Sequence, residues 1–412
     1  MFFEITKCRI CGGSKFSNIM SLGEQYLTGV FPKNKNDIII SGPVDLIKCN
    51  DQNGCGLLQL KQSYDVNQMY GENYGYRSGL NSSMVSHLKN KVKKILDYDV
   101  LSKGDLIVDI GSNDATTLKA YPSNKYDLVG IDPTGNKFIQ HYTSQIKLIP
   151  EFFNAKIFQS FYKNRKAKVI TSFSIFYDLE DPISFAKDIN SILDDNGIWI
   201  IEQSYMPTML KKNSFDTICQ EHLTFYGLKQ IVWILNEANL KVIDVEFNKI
   251  NGGSFSVKAS KKLSKYKPNI KKIEKTLDQE ADLDGLGSKA YKLFLDSINQ
   301  EKIALLNFLK KCKLERKIVG ALGASTKGNV LLQYYNINEE LIYAVGEVNQ
   351  DKLGCFTPGT LIPIISEDEL LSSKPDYILI LPWHFRNFFE KLPSLKGRNI
   401  IFPLPKFEIV KL

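Results

Sequence analysis

From residue 106 onward the chain alternates short apolar runs with amphipathic stretches. Segments 106–110, 127–131, 167–173, 197–202 and 240–247 have strand character, while 181–193 and 228–238 carry apolar residues at helical spacing. Apolar strands separated by helical periods predict a doubly wound, mainly parallel α/β sheet. Upstream, 82–98 places Met84, Leu88, Val92, Ile95 and Leu96 on one helical face. The alternation restarts after residue 260. A long helical region, 289–312, leads to a strand and glycine turn in 317–327 and to strands 341–348 and 377–381, which predicts a second, smaller α/β unit. The chain therefore reads as α/β in three units: a cysteine-bearing module (1–62), a Rossmann-like domain with a tyrosine-rich lead-in (63–260), and a linker helix with a second Rossmann-like domain (261–412).

Composition narrows the class. With 412 residues, 43% hydrophobic and 24% charged, the chain can bury large cores and is not a disordered sequence. No apolar run approaches the eighteen or so residues of a membrane span, and Met1-Phe2-Phe3-Glu4 lacks a basic, cleavable leader, so a cytoplasmic protein without a membrane partner is expected. The net charge of +8 owes much to the lysine-dense stretch 258–275, read as a solvated face or linker, and no nucleic-acid partner is expected. Seven cysteines, an odd number, point to reduced thiols.

Four of those cysteines open the chain: Cys8-x2-Cys11 and Cys49-x5-Cys55. Paired thiolates on two knuckles offer the four soft ligands of a tetrahedral, structural Zn2+ site, closed to chemistry. The first gap is standard and the second is longer than usual, so four unligated buried cysteines are the alternative.

The strand at 106–110 ends in Asp109-Ile110-Gly111-Ser112-Asn113-Asp114, followed by a helix-like 115–120. Such a turn holds a nucleotide-like ligand. A dinucleotide needs three glycines at fixed offsets to seat its pyrophosphate, and here Gly111 stands alone. S-adenosylmethionine has no pyrophosphate but carries a sulfonium and an ammonium. Acidic residues suit it: Asp109 and Asp114 toward the methionine end, and Asp132, closing the next strand, toward the ribose hydroxyls. The residues thus favour S-adenosylmethionine over a dinucleotide. The second unit's Gly320, Gly323 and Gly328 do not match the dinucleotide pattern either; that turn could hold a nucleotide or the acceptor.

Among four histidines, His87 falls on a predicted helix and His141 lacks acidic neighbours, whereas His222 follows Glu221 shortly after the strand ending at Glu202. A carboxylate beside an imidazole can orient it or raise its basicity. Tyr64, Tyr70, Tyr74 and Tyr76 fall in a glycine-punctuated stretch, as packed rings or as substrate-contacting hydroxyls.

In order along the chain, Cys8/Cys11/Cys49/Cys55, Asp109 to Asp114, Phe215-Asp216 with Glu221-His222, Gly252-Gly253-Ser254, Gly323-Ala324-Ser325-Thr326-Lys327-Gly328-Asn329, Thr357-Pro358-Gly359 and Leu381-Pro382-Trp383-His384-Phe385-Arg386 resemble the sugar C-methyltransferase family of deoxysugar biosynthesis. The resemblance implies a nucleotide-linked 4-keto-6-deoxy sugar as acceptor and methylation at C-3 through an enolate. It implies His222 as the base, Glu221 as its neighbour in the site, and Tyr74 and Tyr76 as hydroxyls for the sugar or its oxyanion. Cys219, Gln220 and Ser174 depart from the family's usual tyrosine, histidine and asparagine, which leaves acceptor and stereochemistry open. Methyl transfer to oxygen or nitrogen of a sugar, and a non-catalytic nucleotide-binding protein, are the alternatives.

Overall fold

The computed structural model describes residues 2–69 and 76–412. The N-terminal module contains β1 (Phe2–Glu4), β2 (Phe16–Tyr26), β3 (Ser41–Cys49), β4 (Leu58–Leu60) and β5 (Gln62–Tyr64). β1 pairs with β5, and β2, β3 and β4 form an antiparallel sheet whose fourth member comes from elsewhere. The central unit contributes β6 (Leu106–Ile110), β7 (Asp127–Ile131), β8 (Ile146–Ile149), β9 (Ala167–Phe173), β10 (Leu193–Ser204), β11 (Thr224–Phe225), β12 (Leu240–Asn248) and β13 (Ser254–Lys261).

Seven of these strands form one sheet in the order β12-β13-β10-β9-β6-β7-β8. β10, β9, β6, β7 and β8 run parallel, and β13 runs antiparallel to both its neighbours. β6, β7 and β9 coincide with the predicted strands because the parallel core is buried on both faces and so reads as continuous apolar runs. The helices Pro182–Ile192 and Leu228–Glu237 cover one face, and Asp181 caps the first by accepting from Ser184 N.

Of two expectations, one is sharpened and one corrected. The lysine-dense stretch 258–275 is solvated over most of its length and ends on the exposed start of the helix Ile270–Gly285, but it is not all linker. It begins inside β13, where Phe255, Val257 and Ala259 are buried and the Lys258 ammonium lies 3.8 Å from the centre of the Tyr98 ring. Nor does an α-helix follow β6. Asn113 and Ala115 have positive φ (48° and 58°), so the chain cannot wind into a helix from the turn, and only a 3-10 turn at Leu118–Ala120 forms. The short polar side chains here bond one another and nearby backbone instead.

The C-terminal unit adds β14 (Val319–Leu322), β15 (Val345–Glu347), β16 (Ile364–Ser366), β17 (Tyr377–Ile380), β18 (Asn399–Phe402) and β19 (Glu408–Lys411), ordered β16-β15-β14-β17-β18-β19. All its pairs are parallel except β18 with β19. The helix Ser288–Leu314 buries Phe294, Ile298, Leu305 and Leu309 against it. Among the described residues no helix is long and apolar enough to cross a membrane.

The core under the site is aromatic. Phe176, fully buried, meets Phe185, Trp199 and Tyr226 with ring centres 5.5–5.8 Å apart. Phe176→Ala is expected to lower unfolding free energy by about 3–5 kcal/mol through the cavity it leaves, read as a lower urea midpoint at unchanged slope.

Candidate active site

The four N-terminal thiols converge. Cys8 Sγ lies 3.5 Å from Cys55 Sγ, Cys11 Sγ lies 3.5 Å from Cys49 Sγ, and all four fall within 4.8 Å of one another. Zn–S bonds of about 2.3 Å place tetrahedral sulfurs about 3.8 Å apart, so the donor set fits a closed zinc site. The long Cys49–Cys55 gap is absorbed by a tight turn, Gly54 N donating to Asp51 O (2.9 Å), where a Cβ on Gly54 would meet Cys49 Sγ at 2.9 Å. Gln59 Nε2 donates to Cys8 Sγ (3.2 Å), and the buried Arg9 guanidinium binds Leu60 O (2.6 Å) and Ser63 Oγ (2.6 Å). The knuckle is thereby tied to β4. The hydrogen bond from Cys55 draws the Cys8 thiol down to about 5, and burial lifts Cys49 to about 11.

At the carboxyl end of β6 the turn is held by its own polar groups. Gly111 has φ 74°, and a Cβ there would lie 2.4 Å from Ile175 Cγ2. Ser112 Oγ pairs with Tyr142 OH (2.8 Å), which also donates to Asn113 O (2.9 Å). Asp132 accepts from Asn113 N, Thr134 N and Thr134 Oγ1, each at 2.7 Å; it fixes the turn and keeps acceptor capacity for diol hydroxyls. Asp114 takes Thr116 Oγ1 (2.5 Å) and Gly79 N (3.0 Å), with Arg77 Nε at 3.6 Å. Asp109 sits below the turn, bonded to Thr171 Oγ1 (2.5 Å), and burial pushes its carboxyl up to about 7. Residues 76–79 lean on this turn: Ser78 N donates to Asn113 Oδ1 and Asn113 Nδ2 to the Tyr76 carbonyl. The Tyr76 ring is half-exposed, and desolvation holds its phenol above the ordinary value. Tyr74 lies outside the described residues.

Glu221 and His222 lie on a turn, not in an extended segment. His222 N donates to Cys219 O (3.0 Å), which gathers ligand atoms of Cys219, Glu221 and His222 within 4.8 Å of one another. His222 Nδ1 donates to the Thr217 carbonyl (2.7 Å), so the lone pair resides on Nε2. The Tyr177 ring stands edge-on to the imidazole at 4.3 Å. Both residues are partly exposed, yet desolvation lowers His222 to about 4 and raises Glu221 to about 7. The orienting partner is therefore a backbone carbonyl, and the imidazole is less basic than its acidic neighbour suggested.

Several groups were quoted in motifs without a role, or missed. Lys327, in the first turn of the helix Thr326–Tyr335, donates to Asn251 O (2.8 Å) and acts electrostatically on Asp216, His222 and His384. A cation in a helix's first turn opposes the dipole, and that was the available signal. Asp216 accepts from Trp383 Nε1 at Oδ2 (2.7 Å), while its Oδ1, Ser214 Oγ and His384 Nδ1 are buried without a hydrogen-bond partner among the described residues. Deeper, at the end of β10, Glu202 accepts from Lys91 (2.6 Å), Asn248 (3.0 Å) and the His87 ring. Burial works to raise Glu202, but His87 and Lys91 outweigh it and hold the carboxyl below its usual value.

Gly111→Ala is expected to weaken S-adenosylmethionine binding about tenfold or more by calorimetry, since it meets both a positive φ and a 2.4 Å contact. Gly104→Ala, also at positive φ (85°) but in open space, should leave binding unchanged.

Comparison with known proteins agrees with this geometry. Three family models match in order: a zinc binding domain over residues 8–70, a methyltransferase domain over 82–245, and a C-methyltransferase C-terminal domain over 249–405. The C-methyltransferase NovU of Streptomyces niveus is 24% identical over 414 residues, spanning 98% of this chain and 97% of that protein. Among solved structures, a chain from the complex of the Haloferax volcanii Trm112 methyltransferase activator with a methyltransferase is 13% identical, with a TM-score of 0.35, covering 44% of this chain and 95% of that one. Magnesium protoporphyrin IX methyltransferase of Synechocystis PCC 6803, with bound SAH, is 12% identical with a TM-score of 0.33, covering 44% and 88%. The four-thiol cluster lies inside the first matched segment and the Gly111 turn inside the second, and the three matches together make the chain an S-adenosylmethionine-dependent C-methyltransferase with a zinc-binding module.

Proposed function

We propose that the acceptor is a nucleotide-linked 4-keto-6-deoxy sugar, that methylation occurs at C-3, and that His222 is the base. The observation that carries this reading is the His222 tautomer: Nδ1 is committed to the Thr217 carbonyl, so Nε2 is the free acceptor. A carbon becomes nucleophilic at neutral pH only when its proton is acidified, and the C-3 proton, α to a C-4 ketone, is acidified in this way. Removal by a positioned imidazole leaves an enolate.

S-adenosylmethionine, held by Gly111 to Asp114 and Asp132, supplies the electrophilic methyl group. Glu221, lifted to about 7, can pass the abstracted proton onward, and the Tyr74 and Tyr76 hydroxyls are assigned to the sugar or its oxyanion. The Lys327 ammonium and the unpartnered atoms of Ser214, Asp216 and His384 support seating a polar acceptor at the junction of the central and C-terminal units. Cysteines kept reduced, four of them gathered as a zinc-ligand set, support a cytoplasmic location.

His222→Ala should abolish exchange of the C-3 proton with heavy water and slow methyl gain by about 100-fold or more, both read by mass spectrometry of the sugar nucleotide. Full methylation by this variant would exclude His222 as base, and methyl gain without C-3 exchange would indicate transfer to oxygen or nitrogen.

A pH profile tests the electrostatics. A base works when deprotonated, so activity is lost as pH falls through the folded-state pKa. With His222 at about 4, its limb should lie well below the ordinary imidazole range, and the inflection near pH 7 should disappear in Glu221→Gln.

A further inference from the structure

We infer that Cys219, Glu221 and His222 form a second zinc site, distinct from the four-cysteine cluster, and that a zinc ion bound there shuts off the base. The three side chains offer a sulfur, a carboxylate oxygen and a ring nitrogen, mutually within 4.8 Å. A sulfur, a nitrogen and an oxygen on one tetrahedral zinc lie about 3.3–3.6 Å apart, so a closure of about 1.5 Å at most completes the set. The Cys219–His222 turn produces the grouping, and the residue between is turned away: Gln220 Nε2 donates to Gln25 O at 2.8 Å.

The surroundings restrict where these groups can go. A Cβ on Gly29 would lie 2.9 Å from Glu221 Oε1, and the Tyr177 ring closes on the imidazole at 4.3 Å. A mixed sulfur, nitrogen and oxygen donor set selects zinc over magnesium or calcium, and three protein ligands leave one tetrahedral position open. Binding converts the Cys219 thiol to a thiolate and releases its proton, so it strengthens as pH rises. Lys327 is the opposing charge, acting on Cys219 and His222, with Asp178 and Glu221 the carboxylates that counter it at Cys219.

The binding claim stands apart from the reading of His222 as base; the inhibition claim rests on it. The experiment uses the full chain with its four-cysteine zinc in place. Native mass spectrometry in zinc-buffered solution should find two zinc ions per wild-type chain and one in Cys219→Ser, the second affinity falling about 100-fold or more. Cobalt added to the wild type should give a thiolate-to-cobalt charge-transfer absorption that Cys219→Ser lacks. Should Cys219→Ser not fold, Glu221→Gln must shift that absorption and weaken the second ion.

Zinc at the second stoichiometric step should stop C-3 proton exchange, and a mild chelator should restore it. A wild-type chain that holds one zinc only, or an equal second affinity in Cys219→Ser, overturns the site. A second ion bound while exchange proceeds overturns the inhibition. Exchange retained by His222→Ala identifies a failure of the base assignment instead, with the metal count read independently.

Discussion

The short pairing of β4 with β11 is the contact on which the site depends. β11 is two residues long and begins immediately after Leu223, one residue past His222. Nothing in the central sheet pairs with it; its partner is the N-terminal module, through Thr224 opposite Gln59, Phe225 opposite Leu58, and Leu60 N donating to Leu223 O at 2.9 Å. The same Gln59 reaches Cys8 Sγ. A closed metal site with no open position thus holds one edge of the turn that carries Glu221 and His222. The other edge is held by the 3-10 turn Phe215–Thr217, which the C-terminal unit clamps through Trp383 on Asp216.

Desolvation then tunes what that frame positions. The same enclosure moves the two neighbours in opposite senses, because it penalises whichever form is charged: the imidazole is kept neutral and the carboxyl is brought toward neutrality. Had Glu221 been bonded to His222, the imidazole would have been more basic but committed to a partner. A backbone carbonyl orients the ring without adding a charge.

The central parallel strands β6, β7 and β9 were legible because burial on both faces writes them as unbroken apolar runs, whereas the edge strand β8, with exposed Lys147 in its middle, was not. β13 was not, since Lys258 and Lys261 suggested solvent while Phe255, Val257 and Ala259, spaced two apart just before and beside Lys258, are buried together with the neighbouring serines. The missing helix after β6 was a competition that periodicity does not register: Asn113, Asp114 and Thr116 satisfy the local backbone and one another better outside a helix. Glu221 and His222 stood out in the sequence as an adjacent carboxylate and imidazole, but their surroundings could not be read there. Lys327 reaches Asn251 across 76 residues and Trp383 reaches Asp216 across 167, so no local window contains the pairs.

The borrowed strand also has a bearing on how the chain is made. β2, β3 and β4 leave the ribosome well before β11, and the cysteines needed to organise them are all present by residue 55. Yet the β4 edge next to Gln59 and Leu60 has no partner until residues 224 and 225 emerge. During that interval a young module presents an open strand edge, a template for pairing with other nascent chains. The edge is three residues long, short enough to limit such pairing, and its completion requires the longest-range strand pairing among the described residues. The strand that shapes the site is therefore also the one that reports when a little over half of the protein has assembled.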